Sequence, residues 1–143
     1  GDHLWFWDAG NSELIRRDDQ MRKKFTSGNL AVLLKRKIRP THLIERGENL
    51  YMLTDESMIL FDMYGRYKTQ FEIQSTTPLS YSAGRIFYTE NDTLKFIHED
   101  LVTSGFVAGK FEKTKSFQIK DNKLFIVANG EFCIQDDIKI ANN

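Results

Sequence analysis

The chain has 143 residues, 41% of them hydrophobic and 13% aromatic, with 20 Lys+Arg against 20 Asp+Glu. Those figures exclude a strongly basic nucleic-acid module, an acidic disordered tail and a linker. A single cysteine excludes an intramolecular disulfide framework, and no apolar run approaches the length of a membrane span.

Read in chain order, the sequence repeats. Leu4-Trp5-Phe6-Trp7 is a strand-like run, followed by the turn Asp8-Ala9-Gly10-Asn11, a second run Glu13-Leu14-Ile15 and the acidic turn Asp18-Asp19. Residues 27–40 are the odd stretch. Leu30, Leu33 and Leu34 fit a helical face, but Pro40 limits it to a short element, so a short helix and a fourth strand are equally compatible. The next repeat runs Leu50-Tyr51-Met52-Leu53, Thr54-Asp55-Glu56, Met58-Ile59-Leu60-Phe61 and Asp62. Gly65 then marks a tight turn into residues 67–73. There Tyr67, Thr69, Phe71 and Ile73 alternate with Lys68, Gln70 and Glu72, which predicts an outer strand with one wet face. A third repeat opens at Ile86-Phe87-Tyr88-Thr89 and ends on Glu99-Asp100. A fourth opens at Leu124-Phe125-Ile126-Val127, turns at Asn129-Gly130 and ends on Asp136-Asp137. Asn-Gly between two apolar runs is a hairpin signal, because a type I′ turn needs positive φ at both central residues.

The repeats start near residues 4, 50, 86 and 124. That spacing, roughly 40 residues, is the period of a four-stranded propeller blade. The first strand of each repeat is apolar on both faces, as expected of a sheet sandwiched between neighbours. Residues 41–44, 79–82 and 116–119 supply a further strand ahead of the later repeats, while the first repeat has no such run. The fold class is therefore all-β, a propeller-like array of about four blades, incomplete or open, over residues 1–143 as a single domain. The opening Gly1-Asp2 in place of a methionine reads as a processed chain or a piece of a longer one.

The pattern of Leu4 to Asp8, Ile15 to Asp18, Leu43 to Arg46 with Asn49 to Met52, and Ile59 to Tyr67 resembles a group of uncharacterised propeller-like repeat proteins of the Bacteroidetes. At the level of one repeat it is also similar to NHL-type and PQQ-type propeller repeats, without their glycine-rich approach or tryptophan docking pattern. The resemblance implies a propeller scaffold, secreted or periplasmic, continuing beyond the stretch seen here. It assigns no activity.

Candidate chemistry is sparse. The recurring acidic turns fit aspartates that hydrogen-bond their own backbone, and none has the spacing of a calcium loop. His3, His42 and His98 are too far apart in sequence to form a metal motif, and Cys133, between Phe132 and Ile134, reads as an inert core thiol. No metal, cofactor or catalytic centre is expected. Residues 1–48 carry net charge +3 and residues 49–143 carry −3. Arg16, Arg17, Lys35, Arg36 and Lys37 are the core of the basic stretch and a candidate protein-binding surface; no aromatic-interleaved motif supports nucleic acid. Trp5 and Trp7 share one face of the first strand, which no preceding blade covers, so an exposed indole pair and a homodimer through it are expected. The competing possibility is that residues 27–40 fold over that end. The function read from these features is a non-catalytic scaffold that binds a protein partner or further repeats. The alternative is a small-ligand or hydrolytic propeller with a site at the channel mouth, built from Glu90, Asn91, His98 and Glu99.

Overall fold

A computed structural model describes residues 3–99 and 103–142. Asp100, in the acidic turn of the third repeat, lies outside the described residues. The contacts group into two compact halves, Gly1–Ile73 and Gln74–Asn143, where the sequence reads as one domain.

The N-terminal half holds two antiparallel sheets. The first contains β1 (Leu4–Asp8), β2 (Glu13–Arg17) and β3 (Lys23–Thr26) in the order β1-β2-β3. A short helix, α1 (Leu30–Leu34), follows, so the ambiguous stretch is helix and not a fourth strand. Asn29 caps it by accepting from the Val32 N–H, and Lys35 ends it in the left-handed region at φ 55°. The second sheet contains β4 (Pro40–Arg46), β5 (Asn49–Thr54), β6 (Ser57–Asp62) and β7 (Tyr67–Glu72), in chain order. The two sheets and α1 share a core of Leu14, Leu30, Ile38, Leu50, Met52, Ile59 and Phe61, with Trp5 and Trp7 packed against it.

The C-terminal half also holds two sheets. The third contains β8 (Ser80–Ser82), β9 (Arg85–Glu90), β10 (Thr93–His98) and β11 (Ser104–Val107). The fourth contains β12 (Thr114–Lys120), β13 (Lys123–Ala128) and β14 (Glu131–Gln135). The last described strand, β15 (Ile140–Asn142), does not extend the fourth sheet but pairs with β11, giving the third sheet five strands. Phe87, Leu94, Phe96, Val107, Phe111, Ile119, Leu124 and Ile138 form the core of this half.

The four repeat starts read from the sequence are β1, β5, β9 and β13, and the runs placed ahead of the later repeats are β4, β8 and β12. The molecule is thus an all-β, propeller-like array of four antiparallel sheets. Local chemistry sets the turns. Asn91-Asp92, Asp121-Asn122 and Asn129-Gly130 all have positive φ at both residues, the type I′ signature that suits the twist of a hairpin. Asp8, Asp18 and Asp62 each accept two backbone N–H groups of their own turn through one carboxylate oxygen. That is the turn chemistry expected of the acidic positions.

Burial on both faces of the repeat's first strand is met most fully in β5. From Leu50 to Thr54 every residue of β5 is buried, whereas β1 alternates between exposed and half-buried and β13 buries only Leu124. In β7, Lys68, Gln70 and Glu72 are exposed and their neighbours half-buried, as its alternation predicts.

Candidate interaction surface

The fourth sheet has one face that is largely exposed among the described residues. Directly opposed residues of an antiparallel pair share a face. Phe125 opposes Ile134 and Val127 opposes Phe132, so these four apolar side chains stand together on one side of β13 and β14. Phe132 is 65% exposed, Ile134 55% and Val127 37%. Phe125 is half-buried, and its ring lies 6.5 Å from that of Phe132. From β12, Ser116 and Gln118 complete the same face by register. The other side of the sheet carries Leu124, Ile126 and Ile119, which pack into the core. The sheet is therefore apolar on both sides with only one side used.

Cys133 sits on the inward side by register but is exposed, because β14 is an edge strand beyond the reach of the core. Reading it as core filling is corrected on that ground. Nothing in the flanking Phe132 and Ile134 distinguishes an apolar edge strand from an apolar buried one, which is why the sequence misleads here.

The first sheet reverses the expectation for its tryptophans. Trp5 and Trp7 are half-buried against the N-terminal core, on the side shared with Leu14 and approached by Leu30 and Leu34. The Trp5 indole N–H donates to Glu45 of β4, and His3 bonds the same carboxylate at 2.7 Å. The exposed pair on β1 is Leu4 and Phe6, on the opposite side. The expected indole surface is thus replaced by its complement, because the strand's tryptophan side turns toward the following sheet and α1. A dimer through exposed Trp5 and Trp7 loses its motive. The Phe6 side is guarded by Arg17, whose guanidinium lies 5.9 Å from the ring centre.

The basic residues do not form one patch. Arg16 donates to the Met63 carbonyl, just past the end of β6, and lies 4.8 Å over the Phe25 ring. Arg36 donates to Ser57 and Gln70, at the other end of β6. The length of β6, about 17 Å for six residues, separates them. Arg17 is tied to the Met21 carbonyl, and Arg36 also faces Glu56 at 3.7 Å. Lys35 and Lys37 flank Arg36 in the turn after α1. Elsewhere in the stretch, Lys23 pairs with Glu13, Arg22 and Lys24 with Asp18, and Arg39 with Asp55. These charges are largely spent within their own half.

The proposed channel-mouth group is also split. Glu90 and Asn91 sit at the β9–β10 turn, whereas His98 opposes Arg85 at the far end of that hairpin. Glu99 lies with His98, where it accepts from the Tyr81 hydroxyl. Glu90 bonds Lys95 at 2.9 Å and the Gln74 N–H at 2.9 Å. Those two bonds hold its carboxyl below the ordinary glutamate range, while burial, followed by the charge of Glu90, raises the Tyr88 phenol. The nearby cleft of about 600 Å³ is lined by other residues, among them Thr76, Thr89, Asp92, Phe111 and Lys113. Sequence reasoning missed this cleft, since its lining comes from five separated stretches. Among the described residues no three His, Cys, Asp or Glu side chains gather as a metal site, and no helix is long and apolar enough to cross a membrane.

Comparison with known proteins places this geometry. No protein-family model matches the chain, and no curated protein does. Solved structures do. PorZ of Porphyromonas gingivalis, described as an essential bacterial surface component of the type-IX secretion system, aligns at a TM-score of 0.61 and 14% identity. That match covers 93% of this chain and 20% of PorZ. BamB of Moraxella catarrhalis aligns at 0.53 and 12% identity, covering 96% of this chain and 53% of that one. Glutaminyl cyclase of Myxococcus xanthus aligns at 0.51 and 16% identity, covering 88% and 57%. The chain thus spans between a fifth and three fifths of the length of these structures, and the likeness at such identity is one of fold, that of β-propeller proteins.

Proposed function

We propose that this chain is a non-catalytic β-repeat interaction module that holds a protein partner against the outward face of the fourth sheet. The observation that carries this is the uncovered set Phe125, Val127, Phe132 and Ile134 on one face of β13 and β14. Moving a large apolar side chain from water into an interface gains roughly 1.5–3 kcal/mol, so such a set draws a partner surface. The polar groups support the same reading. Glu90 is held ionised by Lys95, the opposite of the raised carboxyl a general acid needs. His98 is separated from Glu90 by the length of a hairpin. An enzyme and a secretion component share this fold, so fold alone does not choose between binding and catalysis.

The test is a Phe132→Ser, Ile134→Ser double variant of the full chain. Its circular dichroism and melting are expected to match the wild type, while capture of protein partners from an extract of the source organism is lost. Equal capture by both forms overturns the assignment to this face. A second reading rests on the cleft at the β9–β10 and β13–β14 turns, whose volume suits a small ligand. A thermal shift with a small-molecule panel that disappears in Lys113→Ala and Thr89→Val supports that reading instead.

A further inference from the structure

The fourth sheet is unfinished at its edge as well as on its face. β14 pairs on one side only, with β13, and every residue from Glu131 to Gln135 is exposed. In the second sheet the equivalent strand β6 is followed by β7, and in the third β10 is followed by β11. After β14 the chain instead departs, and β15 joins the third sheet. The row of backbone N–H and C=O groups along β14 therefore has no strand to meet among the described residues. An open edge of this kind templates pairing with another strand.

We propose that β14 pairs antiparallel with β14 of a second copy, across a twofold axis centred on Cys133. This goes beyond the protein-binding face and shares only β14 with it. The register follows from the side chains. A twofold that keeps the same face up pairs residues whose numbers sum to a constant even value, so that each side chain meets one on its own side. Centred on Cys133, the pairing uses all five residues of the strand. Phe132 meets Ile134 of the second copy, Cys133 meets its own copy, and Glu131 meets Gln135. Apolar opposes apolar and no like charges oppose one another, the condition for a stabilising cross-strand set. Centring one residue later, on Ile134, sets Phe132 against Asp136 and Glu131 against Asp137. Centring one residue earlier sets Ile134 against Gly130. Only the register centred on Cys133 pairs all five residues of the strand with one another. The pairing joins two three-stranded sheets into one of six, with two copies of the apolar face side by side.

Light scattering and sedimentation of the full chain are expected to show a dimer. Gln135→Lys sets a lysine opposite Glu131 and tightens it; Gln135→Glu sets two glutamates opposite one another and loosens it. Two symmetric pairs change in each case, so the dissociation constants are expected to differ by at least about tenfold. Directly opposed antiparallel residues have Cα atoms about 4.5–5.5 Å apart, within disulfide reach. Copper-phenanthroline, as oxidant, is then expected to convert the two Cys133 thiols into one interchain disulfide. Cys133→Ser removes the cross-link but keeps the dimer. A chain that stays monomeric, or a dimer indifferent to both Gln135 changes, overturns the proposal. A monomer whose partner capture still depends on Phe132 and Ile134 overturns this pairing while leaving the binding face intact. A dimer without any captured partner does the reverse.

Discussion

The first and fourth sheets are both one strand short of the second, and they treat the shortfall differently. In the first, the tryptophan side of β1 is sealed by the N-terminal core, with α1 and Ile38 filling in and Glu45 clasping the Trp5 indole. Its other side shows Leu4 and Phe6, with Arg17 laid near the Phe6 ring. In the fourth, the inward side is packed, but among the described residues the outward side and the edge of β14 stay exposed. Both sheets come from the same kind of repeat, with an aliphatic-aromatic strand and an acidic turn. The difference lies in the path of the chain beyond each sheet. After β3 the chain spends residues 27–40 on the open end, whereas after β14 it leaves to finish the third sheet. A blade keeps an open edge and an exposed apolar face where the described chain does not return to close it.

The sharpest way to break this comparison is to cut matching apolar positions in the two sheets. Leu14 is fully buried, so Leu14→Ala is expected to cost about 2–5 kcal/mol in urea unfolding. Phe132→Ser, an exposed aromatic lost, is expected within about 0.5 kcal/mol of wild type. If Phe132→Ser proves the costlier change, the fourth sheet is covered and the contrast is wrong.

The departure of β15 can be blocked next. A Cβ on Gly105 would stand 2.3 Å from the Ala141 carbonyl oxygen and 2.6 Å from the Phe96 ring. The first contact is to backbone and cannot swing away. Gly105→Ala is therefore expected to cost about 1–3 kcal/mol and to expose the amides of β15 to rapid hydrogen exchange. Unchanged protection at Ala141 would show that β15 does not depend on this fit.

The seal on the first sheet is weaker. Glu45→Ala removes the acceptor of both the Trp5 indole and His3. The loss is expected to be about 1–2 kcal/mol, with tryptophan emission shifting to the red as Trp5 is wetted. An unmoved spectrum would mean that packing alone holds the indole.

How much of this was legible in the sequence depends on the range of each interaction. The starts of β1, β5, β9 and β13 were legible because an aliphatic-aromatic run between turn residues is a local signal. So were the type I′ turn at Asn129-Gly130 and the aspartate turns, whose bonds reach only two to four residues. The alternation in β1 showed that Trp5 and Trp7 share a side. It could not show which side would be covered, since that is decided by Leu30, Leu50 and Phe61, far along the chain. The partner of β15 was hidden for the same reason: Ile140 meets Val107. Glu90 and His98 both read as turn residues, yet they belong to turns at opposite ends of one hairpin. Composition groups Arg16 with Arg36, and the length of β6 parts them.

The smallest expected effect concerns charge. The first sheet carries its ion pairs at the surface, where Lys23 and Arg22 are about half exposed or more, so they contribute little. The third sheet has a better-sheltered pair in Glu90 and Lys95, with the Gln74 N–H as a further donor. The folded-state pKa of Glu90 is depressed, chiefly by Lys95 and then by the Gln74 N–H. A depressed carboxyl contributes stability above its unfolded pKa and loses it as pH falls through its folded one. Stability of the C-terminal half is therefore expected to gain from this pair at neutral pH and to lose that gain as the pH drops below the ordinary glutamate range. Glu90→Gln should be slightly less stable than wild type at neutral pH, and the gap should close in acid. Melting curves of the two proteins from neutral pH downward measure it. A gap that is constant across that range would assign the stabilising effect of Glu90 to hydrogen bonding by shape, with the charge of Lys95 contributing nothing.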